Sequence, residues 1–457
     1  MANLITTKRG LDIPVNGKAV ESIGTCTLPR EFAMIPDYYH GITPKMVVKE
    51  GDVVKAGSPV FYDKQFPDTK FVSPVSGTIK AINRGERRKI MSIQIENDGK
   101  MDFASFDPLA LAGASREQIV LRLQQSGLWA YIKQRPYDVI ANPSVTPKAV
   151  FVSSFDTAPL APNNDYVLGN QMADFQAGID ALAKIAPVHL GVRSGKKTPF
   201  STVKNAIITE YAGPHPVGNV GIQINHISPV NKGETVYTVA AQDVVFIGRL
   251  FNKGIVDLTR TVALTGPSVK APQYFKLLPG VKVEELLKDK IKGNATHRII
   301  SGNILTGDKI PGNGYLDPYA TQITIIEEGN ETHELLGWGM PRIRRFSMSR
   351  AYLAPLLETK LMRGVFGHIR YQWDARLMGG RRAMIMSGEY DKVLPMDIYP
   401  EYLFKAMITK DLDKMEALGA YEIAPEDVAL CEFVCTSKLP LQQIVRESLD
   451  LMKKELE

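Results

Sequence analysis

The chain has 457 residues, of which 44% are hydrophobic, 23% charged and 8% aromatic. This length allows three or four domains, and the ordinary composition excludes a largely disordered protein. Its three cysteines cannot hold together a disulfide-rich secreted scaffold. The chain begins without the apolar core of a signal peptide, and no uninterrupted apolar run of about 18 residues predicts a membrane-spanning helix. We therefore expect a soluble, intracellular, multidomain protein of mixed α/β class.

Residues 1–112 predict an irregular N-terminal arm followed by a small β domain. Between residues 45 and 96, short runs rich in β-branched and aromatic residues alternate with turn-forming glycines, prolines and aspartates. The stretch around Lys64, followed by the sequence SPVSG at 73–77, is similar to lipoyl and biotinyl carrier domains, in which a lysine carries the cofactor. Because the insert after Lys64 is longer than carriers use, we expect the barrel-sandwich-hybrid fold without a modified lysine.

Residues 113–257 predict a Rossmann-like α/β domain with a largely parallel sheet. Ser115 and Gln118 form a capping box that opens a helix, and β-branched runs then alternate with helical periodicity. A glycine-rich stretch at 213–221 follows one predicted strand, at the sheet edge where such domains bind ligands. Pro214 and Pro216 lack the N–H groups that a phosphate cradle needs, which favours a rigid packing turn but leaves phosphate binding open.

Residues 258–330 predict a small α+β domain of the β-grasp (SLBB-like) type, with a short helix around 283–291. The last unit, residues 331–457, contains a basic segment and a helical domain. An apolar stripe from Leu403 to Leu418 predicts a helix that Gly419 ends. Cys431 and Cys435 lie four residues apart on a predicted helix, where a shared metal is conceivable. Since zinc and iron–sulfur sites need about four ligands, a place in the core is the favoured interpretation and no metal ligand is assigned.

The net charge of +6 is concentrated in one segment. Between Arg342 and Arg382 there are ten basic residues and two acids, Glu358 and Asp374. Such a segment indicates an acidic partner or an anionic membrane surface, although a solvated surface loop is the plain alternative. Nucleic acid is disfavoured because no recognised binding motif frames the arginines. The candidate docking residues are Arg342, Arg344, Arg345, Arg363, Arg370, Arg376, Arg381 and Arg382.

The common catalytic and nucleotide-binding signatures, among them GxGxxG and GxxxxGK[ST], are missing from the sequence. Other short motifs occur in a characteristic order. They are KRGLD at 8–12, the run from 44 to 63 with KFVSPVSG at 70–77, INRG at 82–85, GPHPVG at 213–218, QDVV at 242–245, GP at 266–267, RIISG at 298–302, VFGH at 365–368 and CEFVCTSK at 431–438. In this order they resemble the NqrA family, whose members are subunits of the Na⁺-translocating NADH:quinone oxidoreductase (NQR complex), and the resemblance runs nearly end to end.

The resemblance implies a peripheral subunit on the cytoplasmic face of the bacterial inner membrane, next to the flavin-bearing membrane subunit NqrB. The complex passes electrons from NADH to ubiquinone or menaquinone and exports Na⁺. FAD, the 2Fe–2S cluster, FMN and riboflavin belong to other subunits, so this chain is expected to hold no cofactor and no catalytic residue. Its fold is expected to be similar to the NADH-binding subunit of complex I and to RnfC of the Rnf complex.

Two functional alternatives follow from these relatives. A role near the quinone site would give His368 a function, since a histidine can hydrogen-bond a quinone carbonyl. An NADH- or flavin-binding electron-transfer subunit like RnfC is the competing hypothesis, which the missing nucleotide-binding loops disfavour. A carrier module with an acylated Lys64 is a third.

Overall fold

A computed structural model describes residues 3–330, 345–346, 359–366 and 369–456 of the chain. Its strands form four sheets, and helices cover the largest sheet and make up the C-terminal region. The N-terminal arm contributes two short strands, β1 (Asn3–Thr6) and β2 (Val20–Gly24), to two different sheets. The predicted unit 1–112 therefore shares strands with both of the units that follow it.

The β domain consists of two small antiparallel sheets that pack face to face. Its strands are β3 (Glu31–Met34), β4 (Pro44–Met46), β5 (Val53–Val54), β6 (Pro59–Asp63), β7 (Lys70–Val72), β8 (Gly77–Arg84) and β9 (Ile90–Asn97). One sheet has the order β3-β9-β8-β5 and the other β4-β6-β7. Phe61 and Phe71 pair across β6 and β7 and stack with ring centroids 4.6 Å apart, in one core with the fully buried Ile79 and Ile93 of the other sheet. Buried apolar residues on most of these strands form the core of the domain and account for the β-rich pattern of the sequence.

The α/β domain is built on the seven-stranded sheet. After the helix α1 (Arg116–Gln125), its strands are β10 (Lys133–Arg135), β11 (Val139–Ile140), β12 (Val150–Ser153), β13 (Val188–Arg193), β14 (Ile207–Ala212) and β15 (Val236–Thr238). The order is β1-β14-β13-β12-β15-β10-β11, with the first five strands parallel and the last two antiparallel to their neighbours. The predicted capping box is confirmed, because Ser115 Oγ accepts from Gln118 N while Gln118 Oε1 accepts from Ser115 N.

Four further helices belong to this domain: α2 (Asn164–Leu168), α3 (Met172–Ala183), α4 (Val220–Ile227) and α5 (Ala241–Lys253). Helices α3 and α5 approach each other closely through glycine. A Cβ atom on Gly248 would lie 1.7 Å from the carbonyl oxygen of Asp174, and one on Gly178 would lie 2.1 Å from that of Val244. Any side chain at either position would push the two helices apart.

The third unit has the strands β16 (Arg260–Thr265), β17 (Gln273–Leu277), β18 (His297–Ser301), β19 (Asp308–Ile310) and β20 (Gln322–Glu327), with the helix α6 (Val283–Leu287). The sheet order is β19-β18-β20-β16-β17-β2, so strand β2 of the arm closes one edge. The arm crosses this sheet at Gly17, whose carbonyl accepts from Gly266 N, and Gly17 has a φ of +94°. Helix α6 is four residues shorter than the predicted span to residue 291.

The C-terminal region is helical: α7 (Lys360–Phe366), α8 (Pro400–Thr409), α9 (Leu412–Ala417), α10 (Ala429–Val434) and α11 (Leu441–Leu456). The single helix predicted from the Leu403–Leu418 stripe is wrong. It is two helices, because Lys410 adopts a left-handed conformation with a φ of +56° and ends α8, and Asp411 caps α9. Their apolar faces share one core with α10 and α11. Short 3-10 turns lie at Pro36–Tyr38, Glu86–Arg88, Leu111–Gly113, Leu128–Tyr131, Pro199–Thr202, Tyr390–Lys392, Ala420–Glu422 and Pro425–Val428.

Candidate functional site

The loop that follows β14 lies at the carboxyl edge of the parallel strands, where an α/β domain of this type usually binds its ligand. His215 in this loop is only 3% exposed, and burial lowers its pKa to about 4. Its Nδ1 atom lies 3.1 Å from Thr157 Oγ1, and the same hydroxyl oxygen accepts from Gly218 N. His215 is thus a neutral, buried histidine that contacts Thr157 of a neighbouring loop, and its role is packing.

The N-terminal arm covers the loop from outside. Leu11 N donates to the carbonyl oxygen of His215 at 2.8 Å, and Asp12 Oδ1 accepts from His215 N at 2.9 Å. Gly10 packs so closely that a Cβ there would lie 2.2 Å from the same carbonyl. Polar backbone groups of the loop thus form hydrogen bonds within the chain. This supports the packing interpretation of residues 213–221 over a phosphate cradle.

A carboxylate from the C-terminal region lies against the start of helix α4. A Cβ atom on Gly221, the second residue of α4, would lie 2.3 Å from Asp427 Oδ2 and 2.4 Å from Asp427 Oδ1. Asn219, the residue before α4, donates through Nδ2 to the carbonyl oxygen of Glu426 at 3.1 Å. A helix N-terminus favours negative charge, and Asp427 packs against the first turn of α4 at Gly221.

Arg135, at the end of β10, holds this carboxylate in place. Its guanidinium is 1% exposed and donates to Asp427 Oδ2 at 2.8 Å and to Glu426 Oε1 at 2.9 Å. Burial alone would lower the pKa of Arg135, but Asp427, Asp138 and Glu426 raise it above its usual value. Burial raises the pKa of Asp427 despite the arginine beside it. The group is a desolvated ion pair that joins the α/β domain to the helical region.

The two cysteines of the C-terminal region are buried in its apolar core. Cys431 and Cys435 are both fully buried, and burial raises the pKa of the Cys431 thiol well above its usual range. The hydroxyl of Tyr390 lies 3.0 Å from Cys435 Sγ. The favoured core interpretation is confirmed, and the described residues contain no group of three or more His, Cys, Asp or Glu side chains that could hold a metal ion.

Lys64 lies at the exposed start of the loop between β6 and β7. Its backbone N–H donates to the carbonyl oxygen of Thr43, and Asp63 Oδ1 accepts from Thr43 N and Gln65 N. A polar cavity of about 60 Å³ opens beside this loop, with Asp63, Gln134 and Lys453 among its lining residues. That volume suits a few water molecules and is far below what a nucleotide or quinone requires.

The predicted docking arginines divide into three groups. Arg345 and Arg376 both bind the carboxylate of Asp374, at 2.7 and 2.8 Å. Arg370, Arg381 and Arg382 have exposed side chains. Arg342, Arg344 and the side chain of Arg363 lie outside the described residues, as does the quinone candidate His368.

Two features of the structure were not predicted from the sequence. The first is the pair of Arg135 and Asp427, which are far apart in the chain and belong to no recognisable motif. The second is the loop that carries Arg381 and Arg382, which also exposes several apolar side chains, including Ile385. The apolar run from Ala383 to Met386, directly after two arginines, is the signal that could have revealed this loop.

No helix in the described parts of the chain is both long and apolar enough to cross a bilayer.

Three family models match the chain in order: an N-terminal barrel-sandwich hybrid domain over residues 5–98, a second alpha/beta domain over 114–256 and a C-terminal domain of the SLBB type over 261–312. All three describe NqrA. Curated proteins from Pasteurella multocida, Neisseria meningitidis and Serratia proteamaculans, each named as the A subunit of Na(+)-translocating NADH-quinone reductase, are 36% identical to it over 99% of this chain and 100% of their own length. The chain belongs to the NqrA family. The predicted barrel-sandwich, α/β and SLBB-like domains are confirmed at the same time.

Among solved structures, an NAD⁺-reducing [NiFe]-hydrogenase in the air-oxidized state matches 75% of this chain and 69% of its own, with 12% identity and a TM-score of 0.35. This likeness is too low to establish a shared fold. The expected similarity to RnfC and to the NADH-binding subunit of complex I stays a prediction.

Proposed function

We propose that the chain is the cofactor-free peripheral subunit of a respiratory Na⁺-pumping NADH:quinone oxidoreductase, and that its role is assembly and docking. In this proposal the complex transfers electrons from NADH to ubiquinone or menaquinone and exports Na⁺. The chain lies on the cytoplasmic face of the bacterial inner membrane and contacts mainly the flavin-bearing subunit NqrB. FAD, 2Fe–2S, FMN and riboflavin are held by other subunits.

The full-length match to the NqrA relatives carries the proposal. An identity of 36% over 99% of the chain leaves no large domain unaccounted for, and it includes the region after residue 312, which the family models do not reach. Membership of a multisubunit reductase implies partners. Among the predicted docking arginines with exposed side chains, we assign Arg370 to an electrostatic contact with these partners.

The contacts at the carboxyl edge of the α/β sheet support the absence of a nucleotide from this chain. Asp427 takes the position beside the first turn of α4, the arm covers the loop at His215, and both are held by hydrogen bonds within the chain. A phosphate at α4 would have to displace a buried carboxylate that Arg135 already binds. The NADH- or flavin-binding alternative requires these contacts to open.

We further propose that His368 lies near the quinone site of the complex. If its imidazole hydrogen-bonds a quinone carbonyl, His368→Ala in the assembled complex should weaken the apparent quinone affinity. His297→Ala, on strand β18, is the matched control. Unchanged quinone affinity in both variants would remove the role of His368.

The proposal is tested by capturing the tagged chain from mildly solubilised membranes and assaying the eluate. We expect flavin-bearing membrane partners and Na⁺-stimulated NADH:quinone reductase activity. A chain that elutes alone contradicts the assignment to this complex. A flavin spectrum in the isolated chain would favour the electron-transfer alternative, and a lipoyl- or biotinyl-sized increase in its intact mass would show acylation of Lys64.

A further inference from the structure

Residues 377–386 form a loop that exposes apolar side chains on both sides of two arginines. The exposed fractions are 54% for Leu377, 41% for Met378, 54% for Ile385 and 46% for Met386. Arg381 and Arg382 are exposed between them, and the sequence from Ala375 to Gly388 contains no acidic residue. Apolar side chains grouped in this way on a surface mark a site of interaction.

Hydrogen bonds hold the second half of the loop, from Arg382 onward, on the helical region. Arg382 N donates to the carbonyl oxygen of Ser437 at 3.0 Å, and Ser437 Oγ donates to the carbonyl oxygen of Ala383 at 2.9 Å. At its end, Ser387 N and Gly388 N both donate to Glu401 Oε1, at 2.9 and 2.6 Å. The part of the loop from Arg382 to its end is therefore fixed on the surface, and Ile385 and Met386 are held there with exposed side chains.

Glu401 ties the loop to the first turn of α8, which adds two exposed aromatic side chains. Tyr399 is 69% exposed and Tyr402 is 57% exposed. Lys405, one turn after Tyr402, is exposed as well. Tyrosine, with an apolar ring and a polar hydroxyl, is enriched where proteins meet the boundary of a bilayer.

We propose that loop 377–386 and the exposed side of α8 bind the surface of an anionic lipid bilayer. Arg381 and Arg382 pair with lipid phosphates, and the neighbouring apolar side chains enter the interfacial layer. The centre of a protein–protein interface is depleted in charge, whereas this loop carries two arginines between its apolar residues, and neither arginine has an ion-pair partner among the described residues. A layer of phosphates above hydrocarbon matches both kinds of side chain at once.

This inference rests on the proposed function only for the presence of a membrane, because lipid binding belongs to the chain itself. It is tested by flotation of the purified full-length chain with vesicles of phosphatidylcholine, alone or mixed with phosphatidylglycerol. We expect binding only with phosphatidylglycerol. Arg381→Glu/Arg382→Glu should reduce the bound fraction at least about tenfold, because each cation near an anionic surface contributes severalfold.

The matched control is Arg87→Glu/Arg88→Glu, which makes the same charge change at an exposed turn of the β domain. It should bind as the unchanged chain does. Leu377→Ser/Ile385→Ser tests the apolar part and should remove binding that persists in high salt. The control Val53→Ser/Leu121→Ser changes two exposed apolar residues elsewhere on the surface and should keep the binding that persists in high salt. Circular dichroism checks that each variant is folded.

Three results would overturn the inference: no binding of the unchanged chain to phosphatidylglycerol vesicles, undiminished binding of the Arg381/Arg382 variant, or equal loss in the Arg87/Arg88 control. Capture of partner subunits without vesicle binding would show a protein-binding surface and leave the proposed function standing. Vesicle binding by a chain that captures no partners would support the lipid surface and contradict the proposed function.

Discussion

Arginine has opposite roles in two regions of this molecule. At the junction of the α/β domain and the helical region, Arg135 is 1% exposed and binds the carboxylates of Asp427 and Glu426. In loop 377–386, Arg381 and Arg382 are exposed and stand among apolar side chains. The first arginine is used within the chain, while the other two are available to something outside it.

The difference shows why a count of charges identifies a basic segment but not its use. Of the predicted docking arginines, Arg345 and Arg376 share Asp374 and stabilise the segment itself. Burial makes the internal pairs costly to break, since the remaining partner is left as an unpaired charge in a low-dielectric site. Exposed arginines add little to stability, so their grouping with apolar residues points to binding.

The largest effect is expected from breaking the buried group. Arg135→Ala leaves the fully buried Asp427 without its cation and should lower the free energy of unfolding by about 3–5 kcal/mol. Urea denaturation followed by circular dichroism measures the shift. Arg381→Ala is the control and should change stability by less than about 0.5 kcal/mol. Similar small shifts in both variants would mean that the buried pair does not hold the two regions together.

A smaller effect is expected when both partners are replaced by apolar residues. Arg135→Met with Asp427→Leu removes the buried charges together, and Glu426, whose side chain is 44% exposed, can turn to water. We expect a loss of about 1 kcal/mol, the value of the hydrogen bond from Ala424 N to Asp427 that is also removed. The comparison is with each single variant by the same urea titration. Additive penalties would contradict a direct coupling of the two side chains.

Features encoded by neighbouring residues could be predicted from the sequence. The capping box of Ser115 and Gln118 and the strands of the β domain depend on side-chain patterns within a few residues, and the structure contains both. The resemblance extended this to the order of the domains. The uneven distribution of charge in the sequence placed the docking arginines in the C-terminal region, and their docking role stays a prediction.

Features that depend on distant pairing could not be predicted. Strand β1 pairs Asn3 with Thr209, and strand β2 pairs Val20 with Gln273, although nothing in the arm specifies either sheet. The position of Asp427 beside Gly221 depends in the same way on how two units pack. The break at Lys410 is local, but its left-handed backbone carries no glycine to signal it.

Reversing the exposed arginines should affect attachment and leave stability nearly unchanged. Arg381→Glu/Arg382→Glu should alter the free energy of unfolding by less than about 0.5 kcal/mol per site, because both side chains are exposed. Release of the protein from native membranes should occur at lower salt than for the unchanged chain, since the contact is electrostatic. Salt titration of washed membranes measures the release, and Arg87→Glu/Arg88→Glu is the control. Retention at the same salt concentration would indicate an apolar attachment instead.

The smallest effect is a pH dependence at the buried group. Burial and the neighbouring Asp427 raise the pKa of Glu426 from 4.5 to about 7. A carboxyl whose pKa is raised by folding stabilises the fold most when the pH is below its pKa in the unfolded chain. That contribution is lost as the pH rises through its pKa in the folded chain. The stability difference between the unchanged chain and Glu426→Gln should therefore fall between about pH 4.5 and pH 7. Since the side chain is 44% exposed, solvent keeps the fall below about 1 kcal/mol.

Urea titrations of both chains across this pH range measure the difference, and Glu234→Gln is the control of opposite sign. A hydrogen bond from Lys148 helps lower the pKa of Glu234 to about 2, so its contribution is lost only as the pH falls below about 4. The difference for Glu234 should stay flat between about pH 5 and pH 7, while that for Glu426 declines over the same range. If the Glu426 difference stays flat as well, the carboxyl is ionised in the folded chain throughout. The attraction of Arg135, which lowers the pKa of Glu426, would then outweigh burial and the neighbouring Asp427, which raise it. The junction would be an ordinary ion pair.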